Sequence, residues 1–128
     1  MKRITFSFVL LAGALLLFAK CGSADKAEKM ANAFFSNIIQ KDFQKAANMI
    51  ERPVGDTTDF VQQVQWMENN PTNGQLLGFK KSMGFSTKIE NGISRVELPY
   101  VLKYDKGNRA VKVVIQNRGG GNKILSVQ

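Results

Sequence analysis

The hydrophobic pattern changes period at Gly74, and that change restricts the chain to an α+β order. Upstream, Ala27, Met30, Ala31, Phe34, Phe35, Ile38 and Ile39 recur at i, i+3, i+4 and i+7, the stripe of an amphipathic helix. Downstream the residues alternate. Val96, Leu98, Tyr100, Leu102 and Tyr104 fall on one face, with Arg95, Glu97 and Lys103 on the other, as in a half-buried strand. The expected fold is N-terminal helices packed on a curved antiparallel β-sheet of about four strands.

Three helices are predicted. Asp25 is placed to cap the first, with Glu28 completing a capping box. Asp42 is placed to cap a short second helix with Phe43, Ala46, Ala47 and Ile50 on one face, and Pro53 stops it. A third runs from Thr57 or Thr58 to about Asn69, with Phe60, Val61, Val64 and Met67 inward, before the breaker cluster Asn69, Asn70, Pro71, Asn73 and Gly74. Leu76 to Ile89 reads as a strand or bent strand pair, with Gly78 and Gly84 marking bulges. Asn91-Gly92 is a hairpin turn leading into Ile93–Tyr104, where Pro99 argues for an edge or a bulge. Asp105 to Asn108 turns the chain into Arg109–Gln116. Gly119–Gly121 turns it again into Lys123–Val127. That glycine run precedes a strand, not a helix, so it lacks the amide-lined helix start that a phosphate loop needs.

The first twenty residues have a different grammar. Lys2 and Arg3 precede the apolar run Ile4 to Ala19, which reads as the n- and h-regions of a signal peptide and is short for a membrane span. Cys21, Gly22, Ser23 and Ala24 follow at once. This layout resembles a bacterial lipoprotein signal, which implies that Cys21 becomes a lipidated N-terminus carrying diacylglycerol and a palmitate-type acyl chain. Two or more acyl chains give stable membrane anchoring where one does not. Phe18 and Lys20 stand where the family has an aliphatic and a small residue. The alternative is ordinary secretion with cleavage after Ser23 or Ala24. The expected organisation is a signal peptide over 1–20, a short tether over 21–25 and a single α+β domain over 26–128. The expected location is the bacterial cell envelope, membrane-anchored and facing the periplasm or cell surface.

The stretches Ala27 to Ile50 and Gly119 to Val127 resemble the nuclear-transport-factor-like superfamily of cone-shaped α+β domains. In that family a long helix, a step and a short helix are followed later by a glycine-marked turn into the last strand. The resemblance implies a concave sheet that, with its helices, encloses an apolar pocket. The pocket candidates here are Phe34, Phe35, Phe60, Trp66, Tyr100 and Tyr104. Enzymes of the superfamily commonly place a His or Asp inside the cone, and this chain has no histidine.

That absence, with a single cysteine, excludes a His-ligated metal, a Ser-His or Cys-His pair, an intramolecular disulfide and a CxxC motif. No metal or other cofactor is expected. Eighteen basic residues against ten acidic ones give +8, unevenly spread. Cys21–Gln75 carries five basic and seven acidic residues, a net −2; Leu76–Gln128 carries ten and three, a net +7. Lys80, Lys81, Lys88, Arg95, Lys103, Arg109, Lys112 and Arg118 are therefore candidates for an anionic-ligand surface, and lysines also protect edge strands from pairing. Stacking aromatics do not interleave with them, so nucleic acid is not an expected partner. Anionic envelope components or a protein partner are.

The function expected from these features is non-catalytic: an envelope lipoprotein whose small α+β domain binds a ligand or a protein. An adaptor that adds a strand to a partner sheet is disfavoured by Pro99 and the lysines. The alternative is a secreted carboxylate-dependent hydrolase or isomerase. For that role Asp42 and Asp56 read as helix caps, leaving Glu51 and Asp59 as the carboxylates to place.

Overall fold

A computed structural model describes residues 24–118 and 121–128. The expected signal peptide, Cys21 and the Gly119-Gly120 part of the glycine turn lie outside the described residues. Over the described residues the fold is α+β, with three helices packed against a strongly curled antiparallel sheet.

Helix α1 occupies 24–39 among the described residues. Ala24 is already helical, so Asp25 lies inside the helix and not at its cap; alanine, the best helix former, carries the helix upstream of the aspartate. The other end closes through the backbone. Asp42 N–H donates to Asn37 C=O at 2.8 Å and Lys41 N–H to Ile38 C=O at 3.0 Å, the paired bonds of a Schellman motif. Lys41 takes the left-handed position with φ 64°, where glycine is the unstrained residue. Lys41→Gly is therefore expected to stabilise the fold by about 0.5–1 kcal/mol in urea titrations.

The same motif explains why Asp42 does not cap α2 (Phe43–Ala47) with its side chain. Its backbone is committed to ending α1, and only its C=O is left to accept from Ala46 N–H at 3.1 Å. Helix α3 (Phe60–Glu68) begins later than the spacing predicts, with Asp59 as its cap accepting from Gln62 N–H. Asp56, expected as a cap, instead accepts from both the N–H and the hydroxyl of Thr58.

Among the described residues six strands stand where about four are expected: β1 (Asn69–Asn70), β2 (Gly74–Lys81), β3 (Ser86–Glu90), β4 (Ile93–Tyr104), β5 (Gly107–Arg118) and β6 (Gly121–Val127). Their order is β1-β2-β4-β5-β6, and β3 also pairs with β4. The long β4 thus carries two partners along one side: β2 against Tyr100–Tyr104 and β3 against Ile93–Glu97. The strand count rises because the bent segment contributes two strands and the breaker cluster donates a two-residue one. A register shift falls between Leu76 and Gly78 in β2, and Asn91 and Gly92 take φ 53° and 75° in the β3–β4 turn, as a type I′ turn requires.

Pro99 lies in an inner strand, not at an edge. Its C=O accepts from Ser82 N–H at 2.9 Å, and a residue in an antiparallel strand points its N and C=O to the same side. Its missing donor therefore faces the bend between β2 and β3, where the partner strand has left the ladder. A second unforeseen pairing joins Ile50 to Ile124 in parallel. Ile124 N–H donates to Met49 C=O at 2.9 Å and Glu51 N–H to Ile124 C=O at 2.8 Å, so the chain leaving α2 is stitched along the free side of β6.

The core lies between α1 and the inward rows of β4 and β5. Phe34, Phe35, Ile38, Val64, Leu98, Val113 and Ile124 are fully buried. Phe35 sits 5.4 Å from Phe34, 5.2 Å from Tyr100 and 5.5 Å from Phe79, centroid to centroid. Tyr100 Oη donates to Asn32 Oδ1 at 2.7 Å, and Tyr104 Oη to Met67 C=O at 2.8 Å, so each buried tyrosine satisfies its polar tip.

Burial, and secondarily the Glu28 carboxylate, pushes the Tyr100 phenol up to about 12. Its folded value lies above the unfolded one near 10. The associated stability is complete below pH 10 and is lost as pH rises through about 12. In stability–pH curves, Tyr100→Phe is expected to flatten that alkaline fall while losing about 1 kcal/mol at neutral pH with the hydrogen bond.

Candidate functional site

The parallel stitch between Ile50 and Ile124 holds the post-α2 segment beside β6, while α3 rises on the other side. Between them lies a cleft of about 300 Å³. Its walls are mostly apolar: Phe34 from α1, Phe60, Val64 and Met67 from α3, Ile50 and Pro53 from the connecting segment, and Ile124, Leu125 and Val127 from β6. Glu51, Asp56, Gln63 and Ser126 supply its polar atoms. A larger hollow of about 580 Å³ shares Ile50, Glu51 and Phe60 with the first and extends to Gln44, Asn48, Arg52, Asp59 and Lys123. Phe60 is the partition between the two.

The polar groups around this partition are held in place. Arg52 lays its guanidinium 4.5 Å from the Phe60 ring centre, a cation–π contact, and donates to Asp56 C=O at 2.9 Å. The two Thr58 donors, above all the hydroxyl, hold the Asp56 carboxyl below the usual carboxylate range, with Arg52 adding to the effect. Glu51 accepts from Gln116 Nε2 at 3.0 Å, and Gln116 accepts from Arg95 Nε at 3.1 Å. Lys123 Nζ donates to Asn48 C=O at 3.0 Å. Of the acids singled out from sequence, Glu51 and Asp56 border the smaller cleft, Asp59 caps α3, and Asp42 is exposed beyond α1. Among the described residues no group of three or more His, Cys, Asp or Glu could hold a metal ion.

The six aromatic candidates divide. Phe34 and Phe60 line the cleft. Phe35, Tyr100 and Tyr104 are core, each buried and packed. Trp66 is 60% exposed, on the side of α3 opposite Phe60 and Val64. Six residues from Phe60 at 100° per residue place it well off the inward stripe. The helical spacing itself therefore carries the signal that aromatic identity obscures. Ile50, Leu125 and Val127 enter the site only through the long-range stitch, which no local pattern announces.

The eight basic candidates also divide by face. Cross-strand partners share a face, and the pairings Lys80↔Val101, Lys88↔Arg95 and Pro99↔Lys112 put Lys80, Lys88, Arg95 and Lys112 on the side away from the helices, with Lys103. Lys81 and Arg109 pair with inward Tyr100 and Leu102. Lys81 donates to Ser82 C=O and Gly84 C=O, bracing the β2–β3 bend. Arg118 ends β5, and its side chain lies outside the described part. On the same open face, the Ser86 hydroxyl, followed by the nearby Lys112 and Lys88 ammonium groups, holds the Glu97 carboxyl below its usual value. These ammonium groups stand 3.6 and 4.0 Å from it.

No protein-family model matches the chain, and no curated protein matches it. Among the described residues no helix is long and apolar enough to cross a membrane.

Proposed function

We propose that the chain is an exported, membrane-anchored envelope lipoprotein, tethered at Cys21, whose α+β domain binds a small apolar ligand without transforming it. The observation that carries the binding reading is the 300 Å³ cleft between α3 and β6. It is within the size range of small-ligand sites and combines apolar walls with few polar groups. The carboxylates at its border, Glu51 and Asp56, suit a ligand with a neutral donor such as an N–H or O–H at one end. The anchoring reading is supported by the basic start, the apolar run and the cysteine that follows it.

Both parts are testable. N-phenyl-1-naphthylamine is apolar, neutral and carries one N–H, and Trp66 is the sole tryptophan, so energy transfer from Trp66 reports the probe's arrival. Saturable one-to-one binding is expected, weakened about tenfold or more by Val127→Phe, which enlarges an inward side chain of the β6 wall. Unsaturable transfer, or binding indifferent to Val127→Phe, would count against a cleft ligand. For the anchor, intact mass of the membrane fraction is expected to show acylated Cys21, and Cys21→Ser to release or misprocess the chain.

A further inference from the structure

The β2–β3 bend displays apolar side chains that the fold does not use. Met83 is 98% exposed and Phe85 58% exposed, and together with Pro99 and Lys112 they border a shallow groove of about 210 Å³. The bend is a built feature: Lys81 Nζ donates to two of its carbonyls, and Ser82 is bonded to Pro99. Cations surround it on the open sheet face, with Lys88 and Lys112 keeping 64% and 51% of their side-chain surface exposed.

We infer that this bend is a second membrane contact, with Met83 and Phe85 entering the interface of an anionic bilayer and Lys88 and Lys112 meeting its phosphates. Large apolar side chains flanked by lysine are the combination that binds such a surface. The position of the chain's start agrees. Tyr100, the cross-strand partner of Lys81, has its hydroxyl 3.4 Å from Glu28 C=O, so α1 begins beside the end of β2. Cys21 is three residues before Ala24, which covalent geometry keeps within about 11 Å. An acyl chain there would hold the bend close to the bilayer. A second copy pairing along β3 is the competing occupant, and Lys88 in the middle of that five-residue strand opposes it.

The proposal rests on the envelope reading above, and its test separates the two. A tryptophan reporter is placed at the bend in the full chain (Phe85→Trp with Trp66→Phe) and compared with native Trp66. Both proteins are mixed with phosphatidylglycerol–phosphatidylcholine vesicles carrying brominated acyl chains. Quenching at position 85 is expected to exceed that at Trp66 by about threefold or more. Lys88→Gln and Lys112→Gln are each expected to weaken this signal about fivefold in lipid titrations. Equal quenching at the two positions, or an undiminished signal on pure phosphatidylcholine, would overturn the membrane contact. So would cross-linking of position 85 between two copies in place of quenching. A membrane-fraction chain whose intact mass shows Cys21 without an acyl group would refute the anchor whatever position 85 reports.

Discussion

Phe35→Ala is expected to destabilise the fold by about 3–5 kcal/mol, the range for emptying a buried phenylalanine site. The ring has no exposure and touches Phe34, Phe79 and Tyr100 at once. Helix α1 and two strands are joined through it, so the void cannot be filled by one neighbour alone. Domains of this size hold only about 5–15 kcal/mol in all, and a loss on this scale leaves a large unfolded fraction. Urea titration followed by circular dichroism measures the effect. Trp66→Ala, at an exposed aromatic on α3, is expected within about 0.5 kcal/mol of the parent. The contrast separates aromatic size from aromatic burial.

Gly74→Ala is expected to cost about 2–4 kcal/mol, in two additive parts. The backbone there has φ +81°, and a Cβ would meet the Asp105 carboxylate head-on. The first part, strain at positive φ, is about 1 kcal/mol. The second is loss of the carboxylate's position, because Asp105 Oδ1 accepts from Gln75 N–H at 2.9 Å while Asp105 N–H donates to Gln75 C=O at 3.0 Å. That reciprocal pair ties the start of β2 to the β4–β5 turn. Gly55 provides the comparison, with φ +85° and nothing within 4 Å of a built Cβ. Gly55→Ala should show the strain alone, and the difference between the two denaturation midpoints isolates the clash.

These positions show which parts of the fold were legible. β4 was readable because its alternation and the Asn91-Gly92 turn reinforce each other. The inward set Val96, Leu98, Tyr100, Leu102 and Tyr104 is buried throughout. Helix ends were less legible because several polar residues compete for one role. Asp42 and Asp56 both resemble caps, yet Asp42's amide closes α1 and Asp56 folds onto Thr58, leaving Asp59 to cap α3. Pro99 marks an interruption in the partner strand and not an edge: an inner strand tolerates proline when its partner bends away at that residue. Gln116, 3% exposed on the side away from the helices, gave no hydrophobic signal at all. It is buried through its bonds to Glu51 and Arg95.

The candidate site was half visible. Phe34 and Phe60 follow from helical spacing, whereas the β6 wall depends on Ile50 pairing with Ile124, a contact between distant segments with no local signature. Aromatic identity pointed to Trp66, while position on the helix decides against it. The basic surface shows the same limit. Composition located the charge in the sheet half, but only strand register sorts Lys81 and Arg109 from the open-face residues.

The ligand-binding claim is tested most directly by nuclear Overhauser contacts between bound N-phenyl-1-naphthylamine and the protein's methyl groups. Contacts to Val64, Ile124 and Val127, with none to Met83, are the predicted result. Contacts confined to the bend, or none to any methyl at saturating probe, would contradict a ligand site between α3 and β6.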